Sequence, residues 1–196
     1  MVIERFDPED SAIREETRNH HIARYEFAST FLTNRCLDIC CGCGYGTNML
    51  EKANPAAQTI GIDIDLDVIK NDQMKYPNCI FKVADAENLE LEGKFDLIVM
   101  FEAIEHLVYS KGLGLLEKIA SAYLSNQGIF ILSTPRDIQD KYNHFHKSSW
   151  SFSTLKNVLG SYFDNVKIYG QAWNTGEISQ DNIVNNDFYI AVCCKK

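Results

Sequence analysis

Arg35-Cys36-Leu37-Asp38-Ile39-Cys40-Cys41-Gly42-Cys43-Gly44-Tyr45-Gly46-Thr47-Asn48-Met49 is the stretch that decides the fold. A short apolar run closes on Asp38 and breaks at once into small residues and glycines, and a helix can start near Tyr45. Glycine has no Cβ, so Gly42, Gly44 and Gly46 let a flat ligand lie against the turn. Asp38 sets an anion beside that turn, where a pyrophosphate is repelled. The site therefore suits a ligand carrying an amino acid and a cation. A dinucleotide fingerprint needs a third glycine at position 47, which is Thr47 here. An NAD-type dehydrogenase, which shares the first βαβ unit, is disfavoured by that residue.

Outward from this turn, apolar runs alternate with helical stretches. The pattern predicts strands at Arg35–Ile39, Thr59–Ile62, Cys79–Val83, Phe95–Phe101, Gly128–Ser133, Asn165–Tyr169 and Phe188–Cys193. It predicts helices at Gly46–Lys52, Leu66–Lys75, Lys111–Ala122 and Ser153–Ser161, and an earlier one over 8–32, with Asp7 as cap and Pro8 in its first position. Such alternation calls for a parallel sheet covered on both faces. Residues 170–187 show no clear helix, so the last strand is easily built antiparallel. Ligands of such sheets bind at the carboxyl ends of the strands.

The 196 residues, 45% hydrophobic and 23% charged, fit one α/β domain. No apolar stretch is long enough to span a bilayer, so membrane insertion is not expected. The N-terminal residues lack a signal-peptide pattern, which makes the cytoplasm the expected location. A net charge of −8 argues against a nucleic-acid surface. Seven cysteines without an export signal read as reduced thiols. Cys36, Cys40, Cys41 and Cys43 crowd into eight residues and do not match the paired spacing of zinc ligands. Oligomeric state has no sequence signature here.

Four strand ends carry polar groups. Asp38 is the first. Asp63, followed by Ile64, comes about twenty residues after the glycine turn, the interval typical of a ribose-binding carboxylate. Asp85 and Ala86 stand where an adenine can be met. Glu102, Glu105 and His106 follow the fourth strand. Taken singly, Asp63 reads equally as a helix cap and Asp85 as a turn residue. In order, after a glycine turn, they form a set.

At these residues the chain resembles the class I S-adenosylmethionine-dependent methyltransferases over 35–195. Leu37-Asp38-Ile39-Cys40-Cys41-Gly42-Cys43-Gly44 stands at that family's glycine-rich motif, with Cys40 in place of its usual first glycine. Gly61-Ile62-Asp63, Ala84-Asp85-Ala86 and the run Phe95–Leu107 stand at its later motifs. The resemblance implies a Rossmann-like three-layer α/β sandwich, with a seven-stranded, mostly parallel sheet in order 3-2-1-4-5-7-6 and strand 7 antiparallel. It implies S-adenosylmethionine as cofactor and S-adenosylhomocysteine as product. Asp38, Cys40, Gly42 and Gly44 would face the methionine part, Asp63 and Ile64 the ribose, and Asp85 and Ala86 the adenine.

His21–Ala28, Ser133-Thr134-Pro135, Asn143-His144-Phe145-His146 and Tyr169-Gly170-Gln171 are similar to small bacterial methyltransferases of surface-polysaccharide and glycan pathways. By that analogy residues 1–34 form a helical lid on a methyltransferase domain of 35–196. Arg24 or Tyr25 then meets the cofactor carboxylate. The acceptor would be an oxygen or nitrogen of a small molecule, a sugar or glycan precursor among them.

An oxygen acceptor must lose a proton. His106 is the candidate base, because imidazole titrates near neutral pH, with Glu105 to orient or replace it. Both read equally as pocket-shaping or capping residues. His144, His146 and Glu102 are expected on the acceptor side. Tyr109, Tyr142, Phe145, Trp150 and Trp173 are aromatics that suit either that pocket or the core. No metal is assigned. Glu102, Glu105, His106 and His146 nevertheless resemble the metal set of small-RNA 3′-terminal 2′-O-methyltransferases, which would imply metal-assisted methylation of an RNA end. A non-catalytic S-adenosylmethionine-binding protein is the other alternative.

Overall fold

The computed structural model describes residues 6–31, 34–136 and 143–195. Eight strands form one sheet: β1 (Arg35–Ile39), β2 (Gln58–Asp63), β3 (Ile80–Val83), β4 (Phe95–Phe101), β5 (Leu124–Pro135), β6 (Asn165–Gln171), β7 (Ile178–Ser179) and β8 (Phe188–Cys194). Their order is β3-β2-β1-β4-β5-β8-β6-β7. The first five pair in parallel, and β8 runs antiparallel between β5 and β6.

The expected seven strands are thus one short. The two-residue β7 adds an antiparallel edge on Gly170 and Gln171. Its cause is a tight reversal after β6, in which Gly176 at φ +70 donates to the Ala172 carbonyl. A polar, aperiodic stretch gives no warning of so short a pairing. Without β7 the order reduces to the predicted one.

The helices are α1 (Glu15–Ser29), α2 (Tyr45–Ala53), α3 (Leu66–Lys75), α4 (Tyr109–Lys118) and α5 (Phe152–Tyr162). α1 starts later than the predicted residue 8. Asp7 and Asp10 accept the Glu9 and Ala12 N–H groups, so the chain turns locally instead of propagating a helix. The predicted end at residue 32 lies outside the described residues. α4 passes into a π-helical turn at Ile119–Tyr123, which completes the segment predicted as helix to Ala122.

Side-chain alternation in the central strands divides the core into two layers. Leu37, Ile39, Ile98 and Met100 pack on one face with Leu115 and Leu116 of α4 and Leu155 and Leu159 of α5. Cys36, Leu97, Val99 and Phe101 pack on the other with Tyr25 and Ala28 of α1 and Leu50 of α2. Burial of each leucine-sized side chain contributes about 1.5–3 kcal/mol. Both faces being covered, the strand tips are where polar groups can collect.

Candidate active site

At the tip of β1 the backbone turns through three left-handed residues, Cys40 (φ +60), Gly42 (φ +54) and Gly44 (φ +68). Cys40 keeps the backbone conformation that favours glycine, and its side chain packs against the main core. The other two glycines answer to packing. A Cβ on Gly44 would lie 2.8 Å from Cγ of Asp72, and one on Gly46 would enter the Tyr25 ring. Packing thus requires small residues at Gly44 and Gly46 whether or not a ligand lies against the turn.

Asp38 is wholly buried in this turn. It accepts hydrogen bonds from the Thr47 hydroxyl at 2.7 Å and from the Tyr25 hydroxyl at 3.3 Å. Burial pushes its carboxyl up to about 7, against the opposing pull of those two donors. Burial also raises the Cys36, Cys40 and Cys41 thiols, which favours their neutral form. All seven cysteines are free.

Asp63, at the tip of β2, accepts from the Gly42 N–H at 3.1 Å and the Asp65 N–H at 3.0 Å. It therefore ties the second strand tip to the glycine turn. The cap of α3 is Asp65, which accepts from Asp67 and Val68. Ile64 between them is exposed. Asp85 accepts from the Glu87 N–H at 2.9 Å and the Asn88 amide at 2.7 Å. That is the turn-capping geometry, and it holds Ala86 buried in a 3-10 turn at Ala86–Asn88.

Beyond β4, Glu102 sits at φ +48, its N–H directed to the carbonyl and hydroxyl of Ser133. The Ser133 hydroxyl donates to Glu102 Oε1 at 2.6 Å. Next along β5, the Thr134 hydroxyl donates to the buried Glu105 at 3.1 Å. Ser133-Thr134 is thus the support on which both glutamates are aimed. The Glu105 carbonyl accepts the N–H groups of Lys147 and Ser148, which pins the loop from Asn143 against the 3-10 turn Ile104–His106. The His106 and His146 rings consequently meet edge to face at 4.8 Å. Glu105, His106 and His146 bring one ligand atom each within 4.8 Å of one another.

Two proton positions follow from this wiring. His106 Nδ1 lies 3.3 Å from the Phe145 carbonyl, which can only accept, so this hydrogen bond requires the proton on Nδ1. Asn143 accepts the Phe145 N–H through Oδ1, so its amide nitrogen is the donor toward His146 Nε2 at 3.0 Å.

Glu102, Glu105, His106, Asn143 and His146 line a cavity of about 370 Å³, closed by Phe6, Ile13, Thr17, His20, His21, Pro135, Trp173 and Phe188. His144 is exposed and stands apart from this lining. Among the candidate aromatics, Trp173 lines it, Trp150 is fully buried core, and Tyr109 and Phe145 are exposed. Tyr142 lies outside the described residues. The wall from α1 and Phe188 is what sequence reasoning missed. The adjacent His20-His21 pair, four residues ahead of Arg24-Tyr25, was its one visible sign.

Arg24, wholly buried, runs beneath that wall. Its Nε donates to Gln171 at 2.8 Å, its guanidinium lies 4.4 Å from the Phe188 ring centre, and Nη2 is 3.5 Å from Glu102 Oε1. Among the described residues neither Nη1 nor Nη2 has a hydrogen-bond partner.

A family model described as "Methyltransferase domain" matches residues 33–182. The chain belongs to the methyltransferase-domain family. Members of this family use S-adenosylmethionine as cofactor. Protein 235L of Invertebrate iridescent virus 6, described as a methyltransferase, is 38% identical over 72 residues, 37% of this chain and 27% of that protein. The match thus spans about a quarter of the curated relative. A TehB-like S-adenosylmethionine-dependent methyltransferase from Corynebacterium glutamicum superposes with a TM-score of 0.67 at 22% identity, covering 91% of this chain and 88% of the other. The plantazolicin methyltransferase BpumL, solved with S-adenosylhomocysteine, gives 0.66 at 16% identity, covering 92% and 83%. At these identities the methyltransferase domain shares their fold. No helix among its described residues is long and apolar enough to cross a membrane.

Proposed function

We propose that this chain transfers a methyl group from S-adenosylmethionine to a hydroxyl of a small molecule held over the β4 and β5 tips. Sugar or glycan precursors are the class that the polysaccharide-pathway resemblance favours. One observation carries the reading: the buried Arg24 guanidinium, whose Nη1 has no hydrogen-bond partner among the described residues and whose Nη2 has only the 3.5 Å ion-pair contact with Glu102. A buried donor without an acceptor costs free energy, and a cofactor carboxylate delivered there removes that cost. Because Arg24 is fully covered, access requires α1 to move. On this reading α1 is the lid.

S-adenosylmethionine supplies an electrophilic methyl on a sulfonium. Asp38 offers the cofactor's cationic amino-acid end a carboxylate, with Tyr25 holding that carboxylate in place. Cys40, Gly42 and Gly44 supply the turn against which it lies. Asp63, beside Ile64, offers oxygens to ribose hydroxyls, and Asp85 and Ala86 border the adenine. On the acceptor side, His106 Nε2 takes the hydroxyl proton, and Glu105 sets the polarity around it. Alignment and exclusion of water do the remaining work, because the leaving group is already good.

A second reading has its own observation. The Glu105–His106–His146 convergence offers a carboxylate and two imidazoles to a divalent ion, which would polarise the acceptor oxygen. To ligate through Nε2, His146 must give up Asn143. The cavity's composition does not favour the RNA end that accompanies this set elsewhere.

The test is calorimetric titration with S-adenosylmethionine, followed by labelled-methyl transfer to a panel of acceptors. Micromolar binding and turnover support the proposal. Binding without turnover on any acceptor turns it into a regulator, and absence of binding overturns it. Chelation that abolishes turnover, reversed by a divalent ion, selects the metal reading.

A further inference from the structure

We propose that the acceptor is an uncharged ring bearing a hydroxyl, presented free of any phosphate. The inference rests on the methyltransferase reading of the site and specifies what its cavity accepts.

The first ground is the aromatic part of the cavity wall. Phe6 stacks on His21 at 4.0 Å with the planes 10° apart. His21 continues to His20 at 4.9 Å, and His20 to Trp173 at 4.7 Å and Phe188 at 4.9 Å. Trp173 and Phe188 are themselves stacked, 18° apart. The five rings thus make one aromatic cluster, in which His20 and Phe188 are buried and Phe6, His21 and Trp173 keep partial exposure. Such a surface rewards a flat partner through offset stacking and area burial.

The second ground is charge. Burial first, and then the Arg24 cation, lowers His20 to about 4 and His21 well below its ordinary value. Both rings are therefore neutral and add no positive charge to the wall. No lysine or arginine lines the cavity among the described residues, while Glu102 and Glu105 do. The nearest buried cation, Arg24, faces Glu102, is covered by Phe188, and is assigned to the cofactor. A phosphate entering here would lose its hydration and meet two carboxylates, with no lysine or arginine among the described lining residues to pair with it.

The third ground is size. About 370 Å³ is at the low end of the ~300–1,000 Å³ of small-molecule pockets. With α1 seated, that volume matches one ring and its substituents. The acceptor is then a free phenol-like or sugar ring rather than a nucleotide-sugar or an RNA terminus.

Equilibrium binding to the S-adenosylhomocysteine-loaded protein tests this with matched pairs: 2-naphthol against 2-naphthyl phosphate, and methyl glucoside against glucose 1-phosphate. The neutral member of at least one pair should bind about tenfold or more tightly than its phosphate ester, and Trp173→Ala should weaken that binding about tenfold, with Trp173→Phe restoring most of it. The first pair selects a phenol-like ring and the second a sugar. Equal or tighter binding of the phosphate esters overturns the inference, as does binding indifferent to Trp173→Ala, or no binding of either neutral compound at millimolar concentration. The preceding titration with S-adenosylhomocysteine reports separately on the cofactor site. Failure there removes the methyltransferase reading, whereas success there with failure in the pairs removes only this inference.

Discussion

Arg24 and Glu102 meet at 3.5 Å beneath the cavity, one fully buried and the other 17% exposed. The pair joins α1 to the tip of β4, and the same guanidinium is the group assigned to the cofactor carboxylate. Removing one partner of a buried pair strands the other and costs about 3–5 kcal/mol. Glu102 keeps some solvent, so Arg24→Ala should cost about 3 kcal/mol in denaturant unfolding. Arg24→Lys keeps the charge and loses the planar fork. It should remain folded and bind S-adenosylmethionine about tenfold more weakly in calorimetry.

Asp38 should give stability a pH dependence opposite to that of an ordinary paired carboxylate. Its folded value of about 7 lies above the reference 3.8. The native state therefore holds this proton more tightly than the unfolded chain does. Stability from this group is full below about pH 4 and is lost as pH climbs through 7, at about 1.4 kcal/mol per unit inside that window. Asp38→Asn should remove this slope in urea titrations between pH 4 and 8.

Cofactor affinity should move the other way. The ionised carboxylate is the form that attracts a cationic ligand. Binding should tighten about tenfold from pH 6 to pH 8 in the native protein, and the gradient should be absent in Asp38→Asn.

His106→Ala should leave the cofactor dissociation constant near its starting value while kcat falls about 10²–10⁴-fold. Steady-state turnover beside calorimetry separates the two. Unchanged turnover would remove His106 from the reaction.

Gly46→Ala would drive a methyl group into the Tyr25 ring, to within 1.9–2.3 Å of three ring carbons. Overpacking of this kind costs about 1–3 kcal/mol. Tyr25 also holds Asp38, so a lowered melting temperature should come with weaker cofactor binding.

Much of this site was legible where chemistry is local. The Leu37–Gly44 turn, the Asp63 tip and the Glu102–His106 run each announce themselves within a few residues, because strand, turn and cap signals are short-range. Asp63 was open between ligand binding and capping, and the cap is Asp65 instead. Asp85 has the capping geometry. What stayed hidden depends on distance along the chain. Phe6, His20, His21, Trp173 and Phe188 become one wall only after β6 and β8 reach α1, and no periodicity encodes that meeting. β7 stayed hidden for another reason, since a two-residue ladder is set by the reversal at Gly176 rather than by any apolar pattern.

Gln171 accepts from Arg24 and donates to the carbonyls of His20 and Gly176. Those links bridge 147 and 151 positions of chain. During synthesis, α1 can therefore complete its docking only after nearly the whole sheet has been made, with part of its apolar side uncovered meanwhile. Nascent chains arrested before residue 171 should leave α1 open to proteolysis, and the reaction chamber should close among the last events of maturation.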